Sequence, residues 1–155
     1  MKIAALQKFS LIDMPEYISA VIYTQGCNMQ CDYCHNPEHQ NVDASGQVEW
    51  YEIQEYLVKR KNLLEAVVFS GGEPTIQEDL FEKICECKLL GYKIGLHTNG
   101  CGESFSKCAK LCDYILLSHA SKIKIDIAME ATRLDLSEVK KETDGAWKNH
   151  ILHIK

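Results

Sequence analysis

The chain has 155 residues with a formal net charge of −5, and 46% of its residues are hydrophobic and 25% charged. These proportions suit one globular domain with a single core. No apolar run reaches the ~20 residues of a membrane span, and "MKIAALQKFS" lacks a cleavage-site pattern, so the expected setting is cytoplasmic, without membrane contact. The acidic balance argues against a nucleic-acid partner, since phosphate binding needs clustered cations. The one basic run, Lys59-Arg60-Lys61, reads as a solvated helix end, where cations suit the dipole. Eight cysteines in a reducing compartment read as thiols or metal ligands rather than disulfides.

In chain order, "ISAVIYT" (18–24) is short, apolar and β-branched, as expected of a buried parallel strand. A polar, turn-rich stretch follows at 35–46. Trp50, Ile53, Tyr56 and Leu57 recur with a helical period between Val48 and Lys61. "EAVVFSGGEPT" (65–75) is a second strand running into a glycine turn. Leu80, Phe81, Ile84 and Cys87 mark a helix that Gly91 closes. "YKIGLHTNG" (92–100) is a third strand and turn, and Phe105, Cys108 and Cys112 share a helical face. "DYILLS" (113–118) predicts a fourth strand and "KIKIDIA" (122–128) a fifth. A short helix is expected around Ser137–Glu142, and a terminal strand at "HILHI".

Alternating strands and helices imply an α/β fold with a mainly parallel sheet. The units are too few for a closed eight-stranded barrel of ~250 residues, so we expect an open, partial (β/α) barrel or a doubly wound sheet. Ligands of such sheets bind at the C-terminal strand ends. Three motifs fall there: the cysteine loop, the GGEP turn and the TNG turn.

The first motif places Cys27, Cys31 and Cys34 in a C-x3-C-x2-C spacing. Thiolates in this number suit an iron–sulfur cluster with one iron left open. A zinc site completed by His35 and unligated loop thiols are the alternatives. Tyr33 is equally well explained by loop packing, and His35 either tunes a cluster or shapes the loop with Asn36 and Pro37. Gly71 and Gly72 let backbone approach a ligand, and Glu73 offers an anion. Thr98, Asn99 and Gly100 form either a ligand contact or a plain turn. His97 reads as a packed strand-end side chain. Cys85, Cys87, Cys108 and Cys112 fit an apolar core. A second metal site from Cys101, Cys108 and Cys112 is the sharper alternative.

"TQGCNMQCDYCHNP" and "FSGGEPT" resemble the radical S-adenosylmethionine superfamily, and within it the activating enzymes of glycyl radical enzymes. The anaerobic ribonucleotide reductase activases are the most similar of these; "FSLIDMPEYISAVIYTQGC" resembles the N-terminal strand pair of that group. The resemblance spans roughly residues 6–117 and implies one radical SAM-like domain over 1–155, shortened relative to a six-unit core and divergent over 118–155. It implies that Cys27, Cys31 and Cys34 hold a [4Fe–4S] cluster. S-adenosylmethionine would chelate the open iron and be cleaved to a 5′-deoxyadenosyl radical that abstracts hydrogen from a glycine of the partner. Tyr33 would lie near the adenine, and Gly71, Gly72 and Glu73 beside the methionine ammonium. Thr98 and Asn99 would hold methionine or ribose. The implied partners are a glycyl radical enzyme, anaerobic ribonucleotide reductase first, and a flavodoxin or ferredoxin as electron donor. The family's Asp-x-Lys element after the fourth strand is not matched. Either Asp126 takes its role or Ser118 and His119 replace it. A radical S-adenosylmethionine enzyme acting on a small molecule, such as a deazapurine precursor, is one alternative function. A non-catalytic iron–sulfur or zinc module is another.

Overall fold

The computed structural model describes residues 1–118 and the backbone of 139–140 and 152–154. Two strands open the chain, β1 (Ile3–Ser10) and β2 (Ser19–Thr24), paired antiparallel. Then come α1 (Trp50–Arg60), β3 (Ala66–Gly71), α2 (Leu80–Leu89), β4 (Lys93–Thr98), α3 (Phe105–Ala109) and β5 (Tyr114–Leu117). Two further strands, β6 (Val139–Lys140) and β7 (Leu152–Ile154), complete a sheet of order β1-β2-β3-β4-β5-β7-β6. β2 to β5 run parallel, and β7 pairs antiparallel with both β5 and β6. The α/β class with a parallel centre is as expected, and the edges at β1 and β6 leave the sheet open.

Burial on both faces explains the near-continuous apolar strands. One face, carrying Ile22, Val67, Phe69, Ile94, Leu96 and Ile115, packs with Ile53 and Leu57 of α1, Ile84 of α2 and Phe105 of α3. The alternate residues Val21, Ala66, Val68 and Tyr114 pack with Met14, from the loop between β1 and β2. That loop therefore crosses the face the helices leave uncovered. Each fully buried aliphatic side chain contributes about 1.5–3 kcal/mol.

Local signals set the helix ends. The Glu49 N–H donates to Glu52 Oε2 at 3.3 Å, half of a capping box. Lys59 and Arg60 lie in the last turn of α1, as their charge suggests. Gly91 closes α2 at φ +92°, where other residues are strained.

The helix expected around Ser137–Glu142 is corrected. Val139 and Lys140 form β6, and their backbones pair with Ile154 and His153 of β7. Sheet pairing takes the backbone groups that a local helix would have used. The terminal strand expected in "HILHI" is present as β7. The strand expected at 122–128 lies outside the described residues.

Asp113, at the entrance to β5, links three elements. Its Oδ2 accepts from the Ile94 N–H at 2.9 Å and from Lys88 Nζ at 3.2 Å, and its Oδ1 accepts from Lys93 Nζ at 3.0 Å. Burial pushes this carboxyl's pKa up, but the Ile94 N–H and the two ammonium groups outweigh it and hold it below the usual value. A depressed folded pKa adds stability above the unfolded value of about 3.9, and that stability is lost as pH falls through the folded value. Asp113→Asn should therefore cost about 1 kcal/mol at neutral pH, after solvent screening. Urea unfolding should show the gap between variant and wild type closing below about pH 4.

Candidate active site

The C-terminal ends of β2, β3, β4 and β5 meet on one rim, and a cavity of about 240 Å³ opens there. Cys27, Cys31, Tyr33 and Cys34 line it from the loop after β2, and Gly71, Gly72 and Glu73 from the turn after β3. Thr98 and Asn99 line it from the end of β4, and Leu116 and Ser118 from β5 and its exit. The residues expected to hold the cluster and its cofactor are all on this wall except Asp126, which lies outside the described residues, as does His119; Gly100, Cys101, Cys108 and Cys112 are not on it.

The three cysteines are partly buried, and none of them is in a disulfide. The Met29 N–H donates to Cys27 Sγ at 3.4 Å. Burial pushes the Cys27 thiol's pKa up, and the charges of Glu73, Cys31 and Cys34 push it further, against the lowering effect of the Met29 N–H. Three thiolates beside a carboxylate are costly unless a cation joins them, and this donor set fits an iron–sulfur group. Among the described residues no three His, Cys, Asp or Glu side chains converge on one metal ion.

The two glycines have different reasons from the one expected. A Cβ on Gly71 (φ +106°) would meet Thr24 N at 2.4 Å, and one on Gly72 would meet Gly26 O at 2.1 Å. Both positions are therefore closed to side chains by the protein's own backbone. Gly72 N donates to Thr24 O and Glu73 N to Gly26 O, fastening the β3 turn to the root of the thiol loop.

Glu73 is 1% exposed. Its Oε1 accepts from Thr75 N at 2.9 Å, Thr75 Oγ1 at 2.5 Å and Thr98 Oγ1 at 2.6 Å, and its Oε2 accepts from Asn99 N at 2.6 Å. A buried charge requires such partners. The side chain expected beside a ligand thus also welds the GGEP turn to the TNG turn. Thr98 Oγ1 also accepts from Gly100 N, and Asn99 Oδ1 accepts from Cys101 N at 2.8 Å. The polar side chains of the TNG turn thus brace the rim.

Tyr33 is 47% exposed at the cavity mouth. His35 and His97 also line the cavity. His97 Nε2 donates to the Asp13 carbonyl at 2.8 Å; the acceptor-only carbonyl fixes the proton on that nitrogen. Ser118 Oγ donates to Thr98 O at 3.2 Å, tying β5 to β4. Cys87 and Cys108 belong to the core and Cys112 packs against it, with Cys112 Sγ donating to Cys108 O at 3.3 Å. Burial raises the Cys87 thiol's pKa to about 12 and pushes that of Cys112 strongly upward. Cys101 is exposed. The second metal site from Cys101, Cys108 and Cys112 does not assemble among the described residues.

Sequence reasoning passed over three contributors. Gln25 is buried, and its Nε2 donates to Glu38 O and Asn41 O, shaping the segment after the thiols. Thr75 supplies two of the donors to Glu73. Asn28 bonds to the TNG turn across the rim. A polar residue beside each motif was the available signal, but its distant partner was not.

A profile of the radical SAM superfamily matches residues 21–140. A protein of Methanocaldococcus jannaschii named as a glycyl-radical enzyme activating enzyme is 34% identical over 122 residues, covering 74% of this chain and 48% of that protein. The pyruvate formate-lyase-activating enzyme of Clostridium pasteurianum is 30% identical over 122 residues, covering 75% and 51%. The chain spans about half the length of these relatives. The crystal structure of QueE from Escherichia coli aligns over 66% of this chain and 52% of that one, at 16% identity and a TM-score of 0.46, too distant to inform function. Three thiols beside a glycine turn at the ends of parallel strands, within a family match covering most of the chain, make this protein a member of the radical SAM superfamily, whose cofactors are a [4Fe–4S] cluster and S-adenosylmethionine.

Proposed function

We propose that the chain generates a glycyl radical on a partner enzyme. The observation that carries the reading is that three thiols, the GGEP turn and the TNG turn wall a single cavity. Cys27, Cys31 and Cys34 hold the [4Fe–4S] cluster. Gly71, Gly72 and Glu73 would meet the methionine end of S-adenosylmethionine, Thr98 and Asn99 the methionine or ribose, and Tyr33 the adenine. Asp126, or Ser118 with His119, completes the cofactor contacts. Held there, the reduced cluster would supply one electron for cleavage of S-adenosylmethionine to methionine and a 5′-deoxyadenosyl radical, the chemistry needed to remove a hydrogen atom from a glycine of the partner.

The chain's own residues hold and shield. Glu73 fixes the two turns against each other, so the ligand meets a preformed wall. Met29 and Leu116 supply apolar surface to that wall, which favours exclusion of water from a reactive intermediate. The names of the relatives support an activase reading. The resemblance of residues 9–27 supports anaerobic ribonucleotide reductase as the partner. A flavodoxin or ferredoxin is the electron donor, and the cytoplasm the setting. No helix among the described residues is long and apolar enough to cross a membrane.

The reading is tested by anaerobic reconstitution with iron and sulfide, chemical reduction and addition of S-adenosylmethionine. Wild type should release 5′-deoxyadenosine, and Cys31→Ala should fall to the protein-free background. A complete cluster that yields none would sink the enzymatic reading. With anaerobic ribonucleotide reductase added, a glycyl radical doublet should appear by electron paramagnetic resonance; its absence despite 5′-deoxyadenosine release would point to another partner. Glu73→Gln sets an amide N–H₂ against the donors of Thr75 and Thr98 or of Asn99. It should weaken S-adenosylmethionine binding about 10- to 100-fold in an equilibrium titration.

A further inference from the structure

Asn28 follows the first thiol directly, yet it lies outside the cavity wall. It lines a separate groove on the far side of the rim, with Thr75, Cys101 and Ser104. Its side chain bridges two points of the turn after β4. Asn99 Nδ2 donates to Asn28 Oδ1 at 2.8 Å, and Asn28 Nδ2 donates to Cys101 O at 3.3 Å.

The backbone of Cys101 fixes both amides. Its carbonyl only accepts, so Asn28 must turn its N–H₂ that way and its oxygen toward Asn99. Its N–H donates to Asn99 Oδ1, which leaves the Asn99 N–H₂ for Asn28. Asn99 is 6% exposed and its own N–H donates to Glu73. A short path therefore joins Cys27 through Asn28 and Asn99 to the buried carboxylate. A residue that touches neither cavity nor ligand acts on the site only through such a path.

We propose that Asn28 is a positioning residue, an amide latch that sets the thiol loop against the turn after β4. The inference rests on the cofactor reading above. The latch fixes the group held by the thiols relative to the ligand held by the turns. Losing it leaves the Asn99 N–H₂ without this partner and lets the loop and the turn move independently.

The test reconstitutes wild type, Asn28→Leu and Asn28→Asp with iron and sulfide. It measures iron per chain and thermal midpoint. Affinity for S-adenosylmethionine is read from the change that the ligand makes in the electron paramagnetic resonance spectrum of the reduced cluster. Asn28→Leu, close in shape, should keep its iron and thermal midpoint but bind the ligand about tenfold more weakly. Asn28→Asp keeps the acceptor for Asn99 but sets a carboxylate oxygen against the Cys101 carbonyl, so it should recover only part of the affinity lost in Asn28→Leu. Wild-type affinity in Asn28→Leu would overturn the latch alone. So would joint loss of iron and stability in Asn28→Leu, because that marks a merely structural role. A wild-type chain that forms no cluster would remove the cofactor reading and the latch together.

Discussion

The buried carboxylate of Glu73 is the constraint on which the rim depends. It accepts from Thr75, Thr98 and Asn99, groups that come from two different strand ends. A charge this deep is tolerable only with such a donor set, because desolvation would otherwise exceed what packing returns. The same contacts that satisfy the charge fix the distance between the turns after β3 and β4. The backbone of Glu73 adds a third tie, through Gly26 O, to the root of the thiol loop. One residue thus orders three chain segments that are far apart in sequence.

The parallel sheet makes that convergence possible. Parallel strands end at one side, so the loops after β2, β3, β4 and β5 share a rim. Gly71 and Gly72 permit the approach, since a side chain at either would strike the backbone of Thr24 or Gly26. On the face away from the helices, Met14 and the Asp13 carbonyl reach Val68 and His97, so the loop between β1 and β2 supports the sheet directly below the cavity. The wall is preorganised by these contacts, so little ordering is left to ligand binding.

Much of this was legible in the sequence, for physical reasons that also mark the limits. The thiol spacing and the Gly-Gly-Glu-Pro turn are local signals, and the strand–helix alternation gives the parallel sheet without any partner being known. β1 gave no such signal: it is an edge strand buried at its ends and partly solvated between them. The segment around Val139 has a locally helical composition, but pairing with β7 takes its backbone. The second task of Glu73 and the role of Asn28 depend on partners 25 and 71 residues away, which no local pattern reveals. The glycines were singled out correctly, but the atoms they make room for belong to the protein itself.

The central claim is that this rim holds an iron–sulfur cluster with three protein thiolates and one coordination position left to S-adenosylmethionine. Mössbauer spectroscopy of the ⁵⁷Fe-reconstituted chain, recorded before and after adding S-adenosylmethionine, tests it most directly. The account predicts about four irons per chain, one of which changes its isomer shift on addition while the other three stay as they were. Four irons that remain equivalent and unmoved, or a single tetrahedral sulfur-bound metal, would contradict it.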